Sequence, residues 1–285
     1  MPELPEVETI RAQLAERIPG RTVAAVEVFD AKLVSPAEPE EFTEAVLGRR
    51  IESVGRRGKY LLIGLDSEDT LAVHLRMTGR LHWTAGPPEE PERFLRARFH
   101  LDDGSTMTFG DMRRFGRAWI VSGSPAERRA YWDARIGVEP LSPQFTARVL
   151  ERLLADRRGP IKAVLLNQAL VAGLGNMYVD EALFQARIHP LREAGSLAPG
   201  ELRRLHRAIR DRLAAARFHA VATRYAFAAY RIGQLYHRLR RRLYRAARHR
   251  AAHAVAAAHR VARRSAGEHA PRRQEHLLPA RQPPG

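Results

Sequence analysis

Residues 96–109, Arg-Ala-Arg-Phe-His-Leu-Asp-Asp-Gly-Ser-Thr-Met-Thr-Phe, decide the class of fold. Ala97, Phe99 and Leu101 alternate with polar neighbours, as do Met107 and Phe109 after them. That period of two puts one face of each run in a core and the other toward water. Asp103-Gly104 between them is a tight-turn pair, so the stretch reads as an antiparallel hairpin. Short apolar runs of the same kind occupy Val23–Phe29, Ile51–Val54, Tyr60–Leu65, Leu71–Leu75 and Ala118–Val121. So many short strands predict an antiparallel β-sandwich. Ahead of them, Val7, Ile10, Leu14 and Ile18 recur at helical spacing. Pro5, Glu6 and Glu8 suit a first turn, and Pro19-Gly20 ends the helix.

The pattern then changes. Helical periods replace alternation at Phe145–Leu154, Ile161–Gln168, Met177–Ala186 and Leu202–Leu213, with breaks at Ala172–Gly175 and between His189 and Gly200. The expected organisation is α+β: a β-sandwich domain with a terminal helix over 1–133, a helical domain over 134–216, and an irregular basic tail over 217–285.

Charge separates the tail from the rest. The 285 residues carry +16, from 48 Lys and Arg against 32 Asp and Glu. From Arg217 onward there are sixteen Arg, two Glu and neither Lys nor Asp, so the tail holds +14 and residues 1–216 only +2. Such an excess points to a polyanionic partner. No run approaches the ~20 apolar residues of a membrane span, and the N-terminus lacks the basic-then-apolar order of a secretory signal. A cytoplasmic, monomeric protein without membrane contact is expected. Cysteine is absent, which excludes disulfides, thiolate nucleophiles and thiolate-bound metal.

Met1-Pro2-Glu3 carries the first chemistry. Removal of Met1 would leave Pro2 with a secondary α-amine of pKa about 7.7–8.0, far more often unprotonated at neutral pH than a lysine at ~10.4. Such an amine attacks a sugar C1′ or an aldehyde and forms a permanently charged iminium. Glu3 beside it could exchange protons. On residue type alone the tripeptide reads first as an ordinary acidic start. Arg56, Arg57 and Lys59 between two apolar runs make a cationic loop tip suited to phosphate, or simply solvated loop charges.

Five motifs stand in order: Met-Pro-Glu-Leu-Pro-Glu-Val-Glu-Thr-Ile at 1–10, Arg-Gly-Lys-Tyr-Leu-Leu at 57–62, His-Leu-Arg-Met-Thr-Gly at 74–79, Asp-Met-Arg-Arg-Phe-Gly at 111–116 and Gly-Leu-Gly-Asn-Met-Tyr at 173–178. Together they resemble the formamidopyrimidine-DNA glycosylase family over residues 1–216. The resemblance implies that Pro2 is the nucleophile at C1′, that Glu3 protonates the opening sugar with Glu6 in support, and that Lys59 moves a proton in β-elimination. Met77, Arg113 and Phe115 would fill the void left by an extruded base, two as apolar wedges and Arg113 at the orphaned partner. Arg158, Lys162 and Asn176 would contact phosphates of double-stranded damaged DNA. Asn176 is read as opening a helix whose backbone N–H groups remain free for an anion, and Arg158 and Lys162 share one cationic face if their helix starts early. The implied helical element is a helix–two-turn–helix.

The resemblance also implies a terminal zinc finger with four cysteines, which this chain lacks. His249, His253 and His259 have helix-compatible spacing but no thiolate or carboxylate partners, so no metal or other cofactor is expected. The tail reads as the product of a reading-frame shift or as a genuine basic extension. Function divides accordingly. One reading is an active glycosylase with abasic-site lyase activity on oxidised purines (8-oxoguanine, formamidopyrimidines), with oxidised pyrimidines a further possibility. The other is a catalytically impaired DNA-binding protein without its third module.

Overall fold

A computed structural model describes residues 2–86 and 94–222. The reading of a frame-shifted tail, and His249, His253 and His259 within it, lie outside the described residues.

Helix α1 (Leu4–Ala15) buries Leu4, Val7 and Leu14. It ends three residues before Ile18, because the Arg17 and Ile18 N–H groups both bond back to the Leu14 carbonyl and Pro19 cannot continue the ladder. Ile18 is buried all the same.

Eight strands follow: β1 (Val23–Val28), β2 (Ile51–Arg57), β3 (Tyr60–Leu65), β4 (Thr70–His74), β5 (Gly79–Thr84), β6 (Leu95–Leu101), β7 (Thr106–Asp111) and β8 (Arg117–Val121). They form two four-stranded antiparallel sheets, ordered β1-β6-β7-β5 and β2-β3-β4-β8. The hairpin expected at Asp103-Gly104 is there: Leu101 N–H bonds Ser105 O at 2.9 Å, and Gly104 takes φ +82°, which a side chain would resist. Alternation does the packing. Leu61, Ile63 and Leu65 of β3 meet Phe99, Leu101, Met107 and Phe109 of the other sheet in one buried cluster with Val7 and Leu14.

Among the strands and α-helices described, three were not anticipated from sequence: β5, α2 (Pro39–Val46) and α3 (Pro125–Asp133). Met77-Thr78-Gly79-Arg80 has the composition of a turn, yet the turn stops at Gly79. A Cβ there would lie 2.4 Å from the Leu75 carbonyl oxygen, so only glycine lets the chain pass directly into β5. Helix α3 starts at a capping box, Ser124 and Glu127 bonding each other's backbone.

The helical part comprises α4 (Ala147–Leu154), α5 (Ile161–Leu166), α6 (Asn176–Ala186) and α7 (Pro199–Ala222). Leu150, Leu165, Val179, Leu183, Leu205, Ile209 and Leu213 share a second buried cluster, and Leu4 of α1 is part of it. The chain start is thereby anchored in the helical core, not in the sandwich. Helix α7 starts earlier and runs later than its apolar stripe suggests, passing residue 216 without a break.

Candidate active site

The start of the chain is bound to the N-terminus of α6. Leu4 N–H donates to Gly173 O at 3.1 Å. The Glu3 carboxylate accepts from the backbone N–H groups of Gly175 at 2.7 Å, Met177 at 2.9 Å and Tyr178 at 3.3 Å. An N-terminal turn has unsatisfied N–H groups and a positive dipole end, which is why a carboxylate sits there. This corrects the expectation that these N–H groups stay free for a phosphate: the Glu3 carboxyl group occupies them. The helix is entered through Gly175, so Asn176 is its first residue and its side chain is exposed.

Glu3 is only 2% exposed. Burial raises its pKa above the usual carboxylate range, against the opposing pull of Lys59 and of the Met177 N–H. Glu6 orients the chain start from its other side: one oxygen accepts the Glu3 N–H at 2.9 Å and the other accepts the Tyr178 hydroxyl at 2.8 Å. Burial and the nearby Glu6 charge push the Tyr178 phenol upward, so it stays a donor. Pro2, half-buried, precedes this fixed carboxylate directly.

Lys59 lies in the turn between β2 and β3, 8% exposed. Burial lowers its pKa, and the fields of Glu3 and Glu6 oppose that shift. The turn is held from both sides. Gly58 N–H donates to Glu139 Oε1, while Gly58 O accepts from Arg56 Nη1 at 2.7 Å. Arg56 also pairs with Glu8 at 3.0 Å and Glu139 at 3.0 Å, and Arg57 donates to Ile136 O at 2.9 Å and to Asp133 at 3.2 Å. The two arginines are therefore committed to carboxylates and carbonyls and do not form a free cationic tip. Lys59 alone of the three faces the chain start.

The turn carrying Met77 and the turn carrying Arg113 and Phe115 are tied together on the sandwich side. Met77 is 38% and Phe115 48% exposed, unusual for residues of their size, and the Arg113 guanidinium lies 4.8 Å from the Phe115 ring centroid. Buried Asp111 builds the platform beneath them. It accepts from the Thr78 hydroxyl, from Arg113 N–H at 3.1 Å, from Phe115 N–H at 2.9 Å and from Gly116 N–H at 2.7 Å. Burial works to raise its pKa, but the Thr78 and Gly116 donors and their neighbours prevail and hold it below the usual value. Arg114 takes a left-handed φ of +57° and turns away from the wedge to fork onto Asp30 at 2.6 and 2.7 Å.

Sequence comparison gives the same assignment. The formamidopyrimidine-DNA glycosylase N-terminal domain matches residues 1–118 and the H2TH domain of the same enzymes matches 136–224. The chain is 49% identical over 213 residues to the formamidopyrimidine-DNA glycosylase of Pelotomaculum thermopropionicum, covering 75% of this chain and 76% of that one. The chain belongs to the formamidopyrimidine-DNA glycosylase family. The Symbiobacterium thermophilum enzyme is also 49% identical, over 74% of this chain and 68% of its own length. A Lactococcus lactis formamidopyrimidine-DNA glycosylase crystallised with abasic-site DNA superposes with a TM-score of 0.71 at 32% identity, over 76% of this chain and 82% of that one. The same enzyme with formamidopyrimidine-dG DNA gives 0.70 at 33%, over 75% and 80%. This glycosylase is thus a DNA-binding repair protein with the expected α+β fold.

Not every expected contact sits in this site. Arg158 lies in the loop before α5 and is exposed, whereas Lys162 is inside α5 and pairs with Asp180 at 2.8 Å. The two do not share a helix face, because Pro160 starts the helix after Arg158. Conversely, sequence reasoning passed over Asp111, Tyr178, Glu139 and His74 as individuals. His74 accepts the Arg76 N–H on Nδ1 at 3.1 Å and packs 4.5 Å from the Tyr60 ring. Burial, with Arg76 and Lys59 near, holds its pKa down to about 3, so it is a neutral acceptor. Three of the four stood inside the quoted motifs, which was the available signal.

Proposed function

We propose that this glycosylase excises oxidised purines and cleaves the resulting abasic strand through a Schiff base on Pro2. The observation that carries the reading is the Glu3 carboxylate, fixed on three N–H groups at the entry to α6 beside Lys59 and bonded through the chain to Pro2. With Met1 removed, the Pro2 nitrogen attacks C1′, the bond to the damaged base breaks, and the base leaves with a proton. A raised Glu3 pKa suits proton donation to the ring oxygen as the sugar opens to the iminium. A lowered Lys59 pKa suits removal of the C2′ proton, after which the 3′ phosphate leaves with the bonding electrons. Water then hydrolyses the iminium and restores the amine. Met77, Arg113 and Phe115 would occupy the gap in the duplex, with Arg158 and Asn176 placed for phosphates. The substrate class is supported by the abasic and formamidopyrimidine DNA held by the Lactococcus lactis relative. The chain would act as a monomer in the cytoplasm.

The family's thiolate zinc site does not fit these residues, because the chain has no Cys, and no step above passes through a metal. Borohydride with abasic duplex tests the reading. A covalent adduct lost in Pro2→Gly supports it, whereas full trapping by a chain that keeps Met1 or an N-terminal tag removes Pro2 as nucleophile. Binding of lesion duplex without any adduct would favour the impaired DNA-binding reading.

A further inference from the structure

Charge in the body of the protein is segregated onto one helix. Residues 1–216 carry +2, yet residues 199–216 of α7 hold Arg203, Arg204, Arg207, Arg210 and Arg212 against Glu201 and Asp211, a local +3. Everything before α7 is thus slightly acidic. The buried face of α7 is Leu202, Leu205, Ile209 and Leu213, so Arg203, Arg207 and Arg210 fall on another side. With His206 and Asp211 they line an open groove against Ala147, the first residue of α4.

The acidic groups nearby do not neutralise it. Glu201 is taken by Arg192 and the Ala198 N–H. Asp211, the groove's carboxylate, accepts from Gln185 at 3.4 Å. Arg210 donates to the carbonyls of Pro140 and Ser142, and His206 contacts Phe145 O at 2.8 Å, so both are held in place. Arg203 and Arg207 form no ion pair or hydrogen bond among the described residues. None of the groups around Pro2 lines this groove.

We propose that the α4–α7 groove is a second nucleic-acid contact, binding the phosphates of a duplex segment other than the lesion. Along the helix axis Arg207 lies about 6 Å and Arg210 about 10 Å beyond Arg203, roughly one and two helical turns. That repeat suits successive phosphates, and guanidinium forks bind phosphate bidentately. The contact reads no base. Its consequence is salt-sensitive retention on long DNA while the lesion site is empty or engaged.

The test uses the full-length chain and the double variant R203E/R207E, with R203Q/R207Q as the milder change. Neither arginine has a partner to lose among the described residues, and matching thermal melts confirm the fold. Affinity for a long undamaged duplex should fall by at least about tenfold, and the slope of log affinity against log salt should shrink by about 2, as for two lost phosphate contacts. Binding and borohydride trapping on a minimal lesion duplex should stay within about twofold of the parent. Unchanged slopes on long duplex overturn the proposal. Equal loss on both duplexes overturns it too, because the groove would then belong to the lesion face. A polyglutamate peptide that binds the parent but not the variant, with DNA binding unaltered, would assign the groove to an acidic protein instead. Failure here leaves the Pro2 chemistry untouched, since trapping on the short duplex reads that separately.

Discussion

The Glu3 carboxylate and the Gly175 N–H meet at 2.7 Å although 172 residues of chain separate them. That bond seals the chain start onto α6, and it is possible only because position 175 lacks a side chain. A Cβ there would lie 2.4 Å from the Glu3 carboxyl carbon and 2.5 Å from Oε1. Gly175→Ala should therefore displace Glu3, costing about 1–3 kcal/mol as an overpacked site does. Base excision should fall at least about tenfold, by loss of positioned acid catalysis. Thermal melts and single-turnover excision of a lesion duplex check both. Excision at the parental rate would show that Glu3 need not rest on α6.

Asp111 links two turns that carry the wedge residues. Its four donors come from Thr78 on one turn and from Arg113, Phe115 and Gly116 on the other. Asp111→Asn puts an NH2 group against N–H donors and should cost about 1–3 kcal/mol. The specific readout is discrimination of the base opposite the lesion, which should weaken as Arg113 loses its fixed backbone. A variant that melts lower but discriminates like the parent would reduce Asp111 to a purely structural role.

Legibility in the sequence followed the range of the interaction. The strands at 60–65 and 96–109 were readable because alternation is local and the packed sandwich rewards it. Pro2, Glu3 and Lys59 were readable as a set only through the motif resemblance. Their geometry was not: the α6 N–H groups assigned to phosphate are filled by Glu3, which pattern alone cannot place 172 residues away. Arg56 read as a loop cation because its carboxylates, Glu8 and Glu139, lie 48 and 83 residues distant. Strand β5 was hidden by Gly79, a turn residue by type that here permits close backbone passage.

His74 gives a pH signature. It is neutral in the folded chain with a pKa near 3, whereas the unfolded imidazole takes a proton below about 6.5. The unfolded state binds more protons between those values, so stability falls as pH drops through that window. At pH 5 the loss relative to pH 8 should be about 1–2 kcal/mol from this group. His74→Phe, which cannot titrate, should flatten that part of the stability curve measured by urea unfolding from pH 4.5 to 8. Parallel curves for parent and variant would place the acid sensitivity elsewhere.

Arg56 positions Lys59 without touching substrate. Its Nη1 holds Gly58 O at 2.7 Å and Glu139 at 3.0 Å, and its Nε holds Glu8 at 3.0 Å, so one planar fork ties α1, the β2–β3 turn and the segment before α4. The same Glu139 holds the Gly58 N–H, leaving the turn with φ +56° at Gly58 and a single direction for Lys59. Lysine cannot reproduce this, because a point ammonium lacks the fork geometry. Arg56→Lys should keep most of the fold and bind lesion DNA, while Arg56→Ala leaves Glu8 only Arg11 and Glu139 only the longer Arg57 contact and should cost about 3 kcal/mol. If Lys59 removes the C2′ proton, Arg56→Lys should slow strand scission about tenfold while base excision changes less. The pH profile of scission should also move, because the lowered Lys59 pKa depends on where the turn holds it. Single-turnover assays that score excision and scission separately on one duplex read this split. Equal slowing of both steps with an unmoved pH profile would mean that Arg56 supports the fold alone.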